Sequence, residues 1–399
     1  MYVNSVPKNL RRNDMTINRM ILNETSYFGK GAINEIPAEA KSRGFKKALV
    51  VTDKDLIKFE VATRVINLLN EAGLDHEVYD GIVPNPTIRD VQNGVAACKK
   101  ANADYIIAIG GGSPIDTAKA IGIIMENPEF EDVLSLEGTA ETKHPALPIL
   151  AVPTTSGTAA EVTINYVITD ENNSRKFVCV DPHDIPVVAF VDSDMMMGMP
   201  KGLCASTGMD ALTHAIEGYI TKGAWEMTDM VHLKAIEIIS RSLRDSVAGE
   251  QSAREEMALG QYIAGMGFSN VGLGLVHGMA HPLSAWYNAP HGVACATLLP
   301  LIMEFNKEYT GEKYRDIAVQ MNVAGAKEMS LNDVRDAAVQ AVKQLGIDVG
   351  IPQSLKELGV KEEDIPKIAE DAYRDVCSPG NPRDASVKEI IELYQSMMK

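Results

Sequence analysis

Apolar residues follow two rhythms along this chain, and the change comes near residue 198. Before it, short β-branched and aliphatic runs recur at 47–53 (in KKALVVTD), 76–83 (HEVYDGIV), 104–112 (DYIIAIGGG), 148–155 (PILAVPTT), 177–181 (FVCVD) and 186–193 (PVVAFVDS). Their length and composition predict strands. IIAI and PILAV are apolar at successive positions, as in strands covered on both faces. Between the runs, 56–73 and 87–102 space their apolar residues three and four apart, which predicts amphipathic helices. Alternation of this kind predicts a parallel sheet flanked by helices.

Beyond Met199-Pro200 the strand runs almost vanish. Helical spacing dominates instead, in MDALTHAIEGYI (209–220), MVHLKAIEIISRSLRDSV (230–247), REEMALGQYIAGMGFS (254–269) and DVRDAAVQAVKQLG (333–346). The predicted organisation is an α/β domain over 15–198 and an all-helical domain over 199–399, with 1–14 a flexible extension. A nucleotide on the sheet and chemistry in the cleft between the domains is the arrangement such a chain favours.

Composition narrows the function. With 399 residues, 45% of them hydrophobic, the chain has material for two cores. Its net charge of −16 repels nucleic-acid phosphates and anionic membrane surfaces, which points to a small neutral substrate and excludes both as partners. No apolar run approaches the roughly 20 residues of a membrane span. Five scattered cysteines with no CxxC spacing predict reduced thiols and a cytoplasmic protein.

Three features at strand ends suit a dinucleotide. Gly110-Gly111-Gly112 lets backbone approach a ligand closely, and Ser113 as N-cap with Pro114 at the first helical position would open a helix whose free amides attract a pyrophosphate. Asp53, after ALVVT, can accept hydrogen bonds from ribose hydroxyls and would repel a 2′-phosphate, favouring NAD over NADP. Pro153–Thr158 offers hydroxyls at a third strand end. Each also has a plainer reading, as a tight turn, a helix cap and a Ser/Thr-rich turn.

The eight histidines divide. His76, His144 and His183 fall in loops or strand edges, and His232 reads as packing or surface. Asp210 and His214 stand four apart on one helix face, His277 and His281 repeat that spacing, and His291 follows in a Gly-flanked segment. Such a set suits a divalent transition metal with a position left for substrate oxygen; its thiolate-free donors accept zinc, iron, manganese or cobalt, and intrinsic affinity favours zinc over ferrous iron.

The segments GGGSPIDTAKA (110–120), PTTSGTAAEVT (153–163), GMDALTHAIEGY (208–219) and GLGLVHGMAHPLSAWYNAPHGVA (272–294) resemble the iron-containing alcohol dehydrogenase family, and the likeness runs over 16–399. The resemblance implies a Rossmann-like N-terminal domain and an all-α C-terminal domain (the dehydroquinate synthase-like, iron-containing alcohol dehydrogenase fold), assembled as a homodimer. It implies Fe2+ on Asp210, His214, His277 and His291, with Zn2+ the alternative. It places Asp53, Gly111, Gly112, Ser113, Asp116, Thr154, Thr155 and Thr158 around NAD(H), and His281 beside the nicotinamide as a non-ligand.

Within the family, NRMILNETSYFG (18–29), YDGIVPNPT (79–87), EVTINYVITDE (161–171), KFVCVDPHDIP (176–186) and EGYITKGAW (217–225) resemble the branch that interconverts lactaldehyde and 1,2-propanediol. The reaction then expected is hydride transfer from NADH to a small aldehyde polarised by the metal, with His281 as proton relay. Asn165, Val167 and Phe268 are the expected substrate-pocket residues. The alternative is a zinc or iron dehydrogenase of another short alcohol or polyol, of glycerol-dehydrogenase type. A lyase acting on a phosphorylated acid would need a cluster of basic residues, and 208–219 and 272–294 contain no Lys or Arg.

Overall fold

The computed structural model describes residues 17–173 and 175–399. The expected extension at 1–14 lies outside them. Six strands form one parallel sheet: β1 (Thr25–Phe28), β2 (Lys47–Val51), β3 (Asp75–Tyr79), β4 (Tyr105–Gly110), β5 (Ile149–Pro153) and β8 (Val188–Val191), in the order β1-β8-β5-β4-β2-β3. The uninterrupted apolar runs in β4 and β5 sit centrally, buried at every position, because helices cover both faces. These helices are α1 (Ile36–Ser42), α2 (Lys54–Lys58), α3 (Val61–Ala72), α4 (Ile88–Ala101) and α5 (Gly112–Glu126). Val65, Leu69, Tyr105 and Phe190 pack on one face, and Val91, Ile106, Ile121 and Ile149 on the other.

Three expectations need correction. The run at 177–181 is not part of the parallel sheet. It belongs to β7 (Arg175–Val180), which pairs antiparallel with β6 (Asn165–Asp170) in a separate two-stranded ribbon. The connection from Asp170 to Arg175 is too short for anything but a hairpin. The single helix read over 56–73 is two, broken where Glu60 turns left-handed (φ 60°). No residue of α2 is fully buried, and only its Leu56 and Ile57 touch the core, whereas α3 lays its stripe of Ala62, Val65 and Leu69 on the sheet. Finally, Ser113 is not an N-cap. Gly111 takes that place without a side-chain cap, α5 begins at Gly112, and Pro114 is its third residue, where the first turn needs no amide.

After Val191 the described residues contain no strand. Nine helices follow: α6 (Lys201–Ile220), α7 (Glu226–Ala248), α8 (Gln251–Val271), α9 (Leu275–Tyr287), α10 (His291–Asn306), α11 (Lys313–Gln320), α12 (Leu331–Asp348), α13 (Ile365–Arg374) and α14 (Val387–Ser396). The expected division at 198/199 lies between the end of β8 and the start of α6. Helix α6 is buried almost all round, from Cys204 to Ile220, and is the axis on which α7, α8 and α10 pack. Among the described residues no helix is long and apolar enough to cross a membrane.

Candidate active site

Helix α6 carries Asp210 and His214 one turn apart, and α9 carries His277 and His281 in the same relation. Asn288, left-handed at φ 51°, ends α9, and α10 opens at His291 three residues later. The three helix segments bring Asp210, His214, His277 and His291 together, with donor atoms all within 4.8 Å of one another. His281 is not among the four.

Asp210 Oδ1, His214 Nδ1, His277 Nε2 and His291 Nδ1 are buried with no hydrogen-bond partner among the described residues. Leaving one such atom unpaired is costly, and its recurrence on all four residues of one cluster points to a common partner that the protein itself does not supply. One carboxylate and three imidazoles fit a divalent metal of the iron or zinc kind. Burial, reinforced by the neighbouring His277, keeps His214 and His291 neutral, with pKa values well below the usual histidine range, so their lone pairs are available. Burial also lifts the Asp210 carboxyl to about 6, against the pull of His277.

A second layer of carboxylates orients two of the rings. Burial opposes charge on His277, yet Glu217 outweighs it and raises the pKa: Glu217 Oε2 lies 2.5 Å from His277 Nδ1. Glu217 Oε1 accepts from the Val276 amide at 2.7 Å, in the first turn of α9, which has no side-chain cap of its own. His277 thus has Nδ1–H engaged and Nε2 free, the tautomer a ligand needs. His281 Nδ1 pairs with Asp375 Oδ2 at 2.7 Å. Burial resists ionisation of Asp375, but His281 and the Cys377 amide hold its carboxyl below the ordinary range.

His214, His277, His281 and His291 floor a cleft of about 180 Å3. Gly112, Ser113 and Thr158 line it from the glycine turn and the loop after β5, and Asn165 and Val167 line it from the ribbon. Phe268 lines it too, stacked on His214 with ring centroids 4.2 Å apart. Asp116 reaches the cleft but also accepts the Val167 amide through Oδ2 at 3.1 Å, joining α5 to the ribbon. Gly110 has φ 155°, and a Cβ there would stand 2.4 Å from Pro114. Cβ atoms on Gly111 and Gly112 would close to about 3 Å on Thr155 and Thr158 (3.1 and 3.0 Å), so the turn is a bare backbone cradle facing an uncapped helix start.

Asp53, Thr154 and Thr155 stand at the ends of β2 and β5 without lining the cleft. Asp53 does cap a helix, accepting from the Leu56 amide at 2.8 Å through Oδ1, which leaves Oδ2 without a protein partner among the described residues.

Sequence reasoning missed Glu217, Asp375, Lys176, Thr163 and Cys377. Glu217 alone had a signal, an acidic side chain in an otherwise apolar helix run. Asp375 and Cys377 come from a polar turn almost a hundred residues after His281. Lys176 also corrects the cation-free cleft suggested by 208–219 and 272–294: it enters from β7, donates to Asn85 Oδ1 at 2.8 Å, and burial lowers its pKa to about 8.

A model of the iron-containing alcohol dehydrogenase family matches residues 23–193, and one for the C-terminal part of the same family matches 204–398. The chain is 63% identical over 379 residues to the lactaldehyde reductase of Escherichia coli K12, covering 95% of this chain and 99% of that one. A crystal structure of a 1,3-propanediol oxidoreductase superposes with a TM-score of 0.93 at 40% identity, over 96% of this chain and 100% of that one. The sulfoacetaldehyde reductase of Bifidobacterium kashiwanohense, solved in complex with NAD+, gives a TM-score of 0.85 at 28% identity over 96% and 99%.

Proposed function

From the premise that this chain belongs to the iron-containing alcohol dehydrogenase family and is an alcohol dehydrogenase-type oxidoreductase, we propose that it interconverts lactaldehyde and 1,2-propanediol with NADH and Fe2+. The observation that carries the reading is four buried, unpartnered donor groups converging on a cleft whose opposite wall is a bare glycine turn. Asp210, His214, His277 and His291 would hold the iron, and the amides opening α5 would hold the pyrophosphate. Oδ2 of Asp53 would take the ribose hydroxyls, which favours NAD.

Bound there, the iron supplies a Lewis acid for the carbonyl oxygen and the dihydronicotinamide supplies the hydride. The chain provides the rest. Phe268 closes the apolar side of the pocket, and Asn165 with Val167 meets the substrate from the ribbon. Asp375 holds Nδ1 of His281 and so orients the ring, leaving Nε2 as the atom that passes a proton to the oxygen of the alcohol product. A homodimeric, cytoplasmic enzyme divided at 198/199 belongs to the same proposal.

The test is NADH oxidation on adding L-lactaldehyde to protein stripped of metal and reloaded anaerobically with Fe2+ or Zn2+. Activity restored by iron and poorly by zinc supports metal, cofactor and substrate together. Activity with zinc on glycerol or another polyol points to the alternative dehydrogenase, and no turnover of lactaldehyde in any loaded form overturns the substrate assignment.

A further inference from the structure

Lys119 is completely buried in α5, one turn past the residues that line the nucleotide side of the cleft. Its ammonium donates to Thr163 O at 2.6 Å, Thr163 Oγ1 at 2.9 Å and Asn165 O at 2.9 Å, which uses all three hydrogens. Asp184, also fully buried, stands 3.6 Å away as counter-charge, and neither of its oxygens has a hydrogen-bond partner among the described residues. Nothing in the proposed chemistry uses this pair. Apolar side chains of similar volume commonly serve stability as well as a buried ion pair, so stability alone does not account for it.

Its position does. The β6–β7 ribbon is outside the main sheet, and a two-stranded ribbon by itself is marginal. Burial alternates along β6: Tyr166 and Ile168 face the core, while Asn165 and Val167 face the cleft. Lys119 holds the backbone at Thr163 and Asn165, and Asp116, three residues earlier on α5, holds it at Val167. The substrate wall therefore hangs from the helix that begins in the nucleotide cradle.

We propose that Lys119, with Asp184 as counter-charge, is a positioning residue that fixes the ribbon against α5 and thereby sets the size of aldehyde the cleft accepts. The size claim rests on the function proposed above; the strut itself does not. The test compares Lys119→Met with the parent protein, both metal-loaded. Amide hydrogen exchange over 163–168 should accelerate while β4 keeps its protection. Displacing the wall by about 1 Å should cost roughly 10²-fold in kcat/KM for L-lactaldehyde, and hexanal should lose much less. NADH affinity and metal content should hold.

Unchanged exchange over 163–168 overturns the strut. Equal loss for both aldehydes, together with metal and NADH, shows a general structural role and overturns the specificity claim. Should Lys119→Met not fold, Thr163→Val removes one acceptor, and exchange over the same segment must still rise. If the parent protein reduces no aldehyde, the proposed function fails while the exchange result still decides the strut.

Discussion

The two walls of the cleft are built by different means. The glycine-turn wall is local: Gly110 to Gly112 form one turn, Thr154 follows β5 directly, and Asp53 stands two residues past β2. The histidine wall is convergent: its groups come from α6, α9 and α10, with Glu217 aiming His277 of the four-residue cluster and Asp375, beyond α13, aiming the neighbouring His281. Buried unpartnered atoms occur in both halves among the described residues, but only those of Asp210, His214, His277 and His291 belong to one cluster of ligand-type side chains. A backbone cradle needs only the right turn, but a ligand cluster needs the whole helical core in register.

If the walls are independent, each should be breakable alone. His277→Ala should abolish metal retention and cut turnover by about three powers of ten, the worth of a Lewis acid of several kcal/mol, while NADH fluorescence titrates as before. Gly112→Val pushes a branched side chain from a Cβ position already 3.0 Å from Thr158. It should weaken NADH binding about tenfold and leave metal content alone. Loss of NADH binding in the first variant, or of metal in the second, would sink the independence of the two walls.

A smaller effect sharpens what convergence requires. Glu217 receives N–H donors from Val276, His277 and the His277 ring. Glu217→Gln replaces one acceptor oxygen by an NH2, which next to Nδ1 favours the ring tautomer whose Nε2 carries the proton and cannot ligate. Metal affinity measured against graded chelators should fall roughly 10- to 100-fold, with helix content unchanged in the metal-free protein. An unaltered affinity would mean Glu217 merely caps α9.

The same contrast decides what could be read from the chain. β4, β5, α4 and the glycine turn were legible because their determinants lie within a dozen residues: continuous apolar runs, a Thr87–Asp90 capping box and flanking glycines. That Asp210, His214, His277 and His291 come together was legible because two i, i+4 pairs betray a shared helix face, and the family motifs set His281 apart from these four. The ribbon, Lys176 and Asp375 were not, since which edge a strand joins and which turn reaches a histidine are settled by packing between distant segments. Ser113 shows the limit in small: a good cap by type, it lost the place to Gly111 because the turn closes earlier than propensity suggests.

His232 offers the mildest perturbation, in the helical half but away from the cluster. It is fully buried, and methyl groups at Gly218 or Gly267 would fall 2.3 or 2.2 Å from its Nε2, so the two glycines make room for the ring between α6 and α8. Neither nitrogen has a partner among the described residues, and burial, with Lys313 adding, depresses its pKa to about 3 from 6.5. The unfolded chain takes up this proton as pH falls below 6.5 while the folded ring stays neutral down to about 3, so stability is lost as pH falls between them. The loss from this one residue should reach roughly 1.4 kcal/mol at pH 5.5. His232→Leu removes the titration and both unpaired nitrogens, so the drop in denaturation midpoint from pH 7 to pH 5.5 should shrink accordingly in metal-loaded protein. If the drop is unchanged, the acid sensitivity of the helical half resides in the metal cluster, and the histidine that holds no metal is only a spacer.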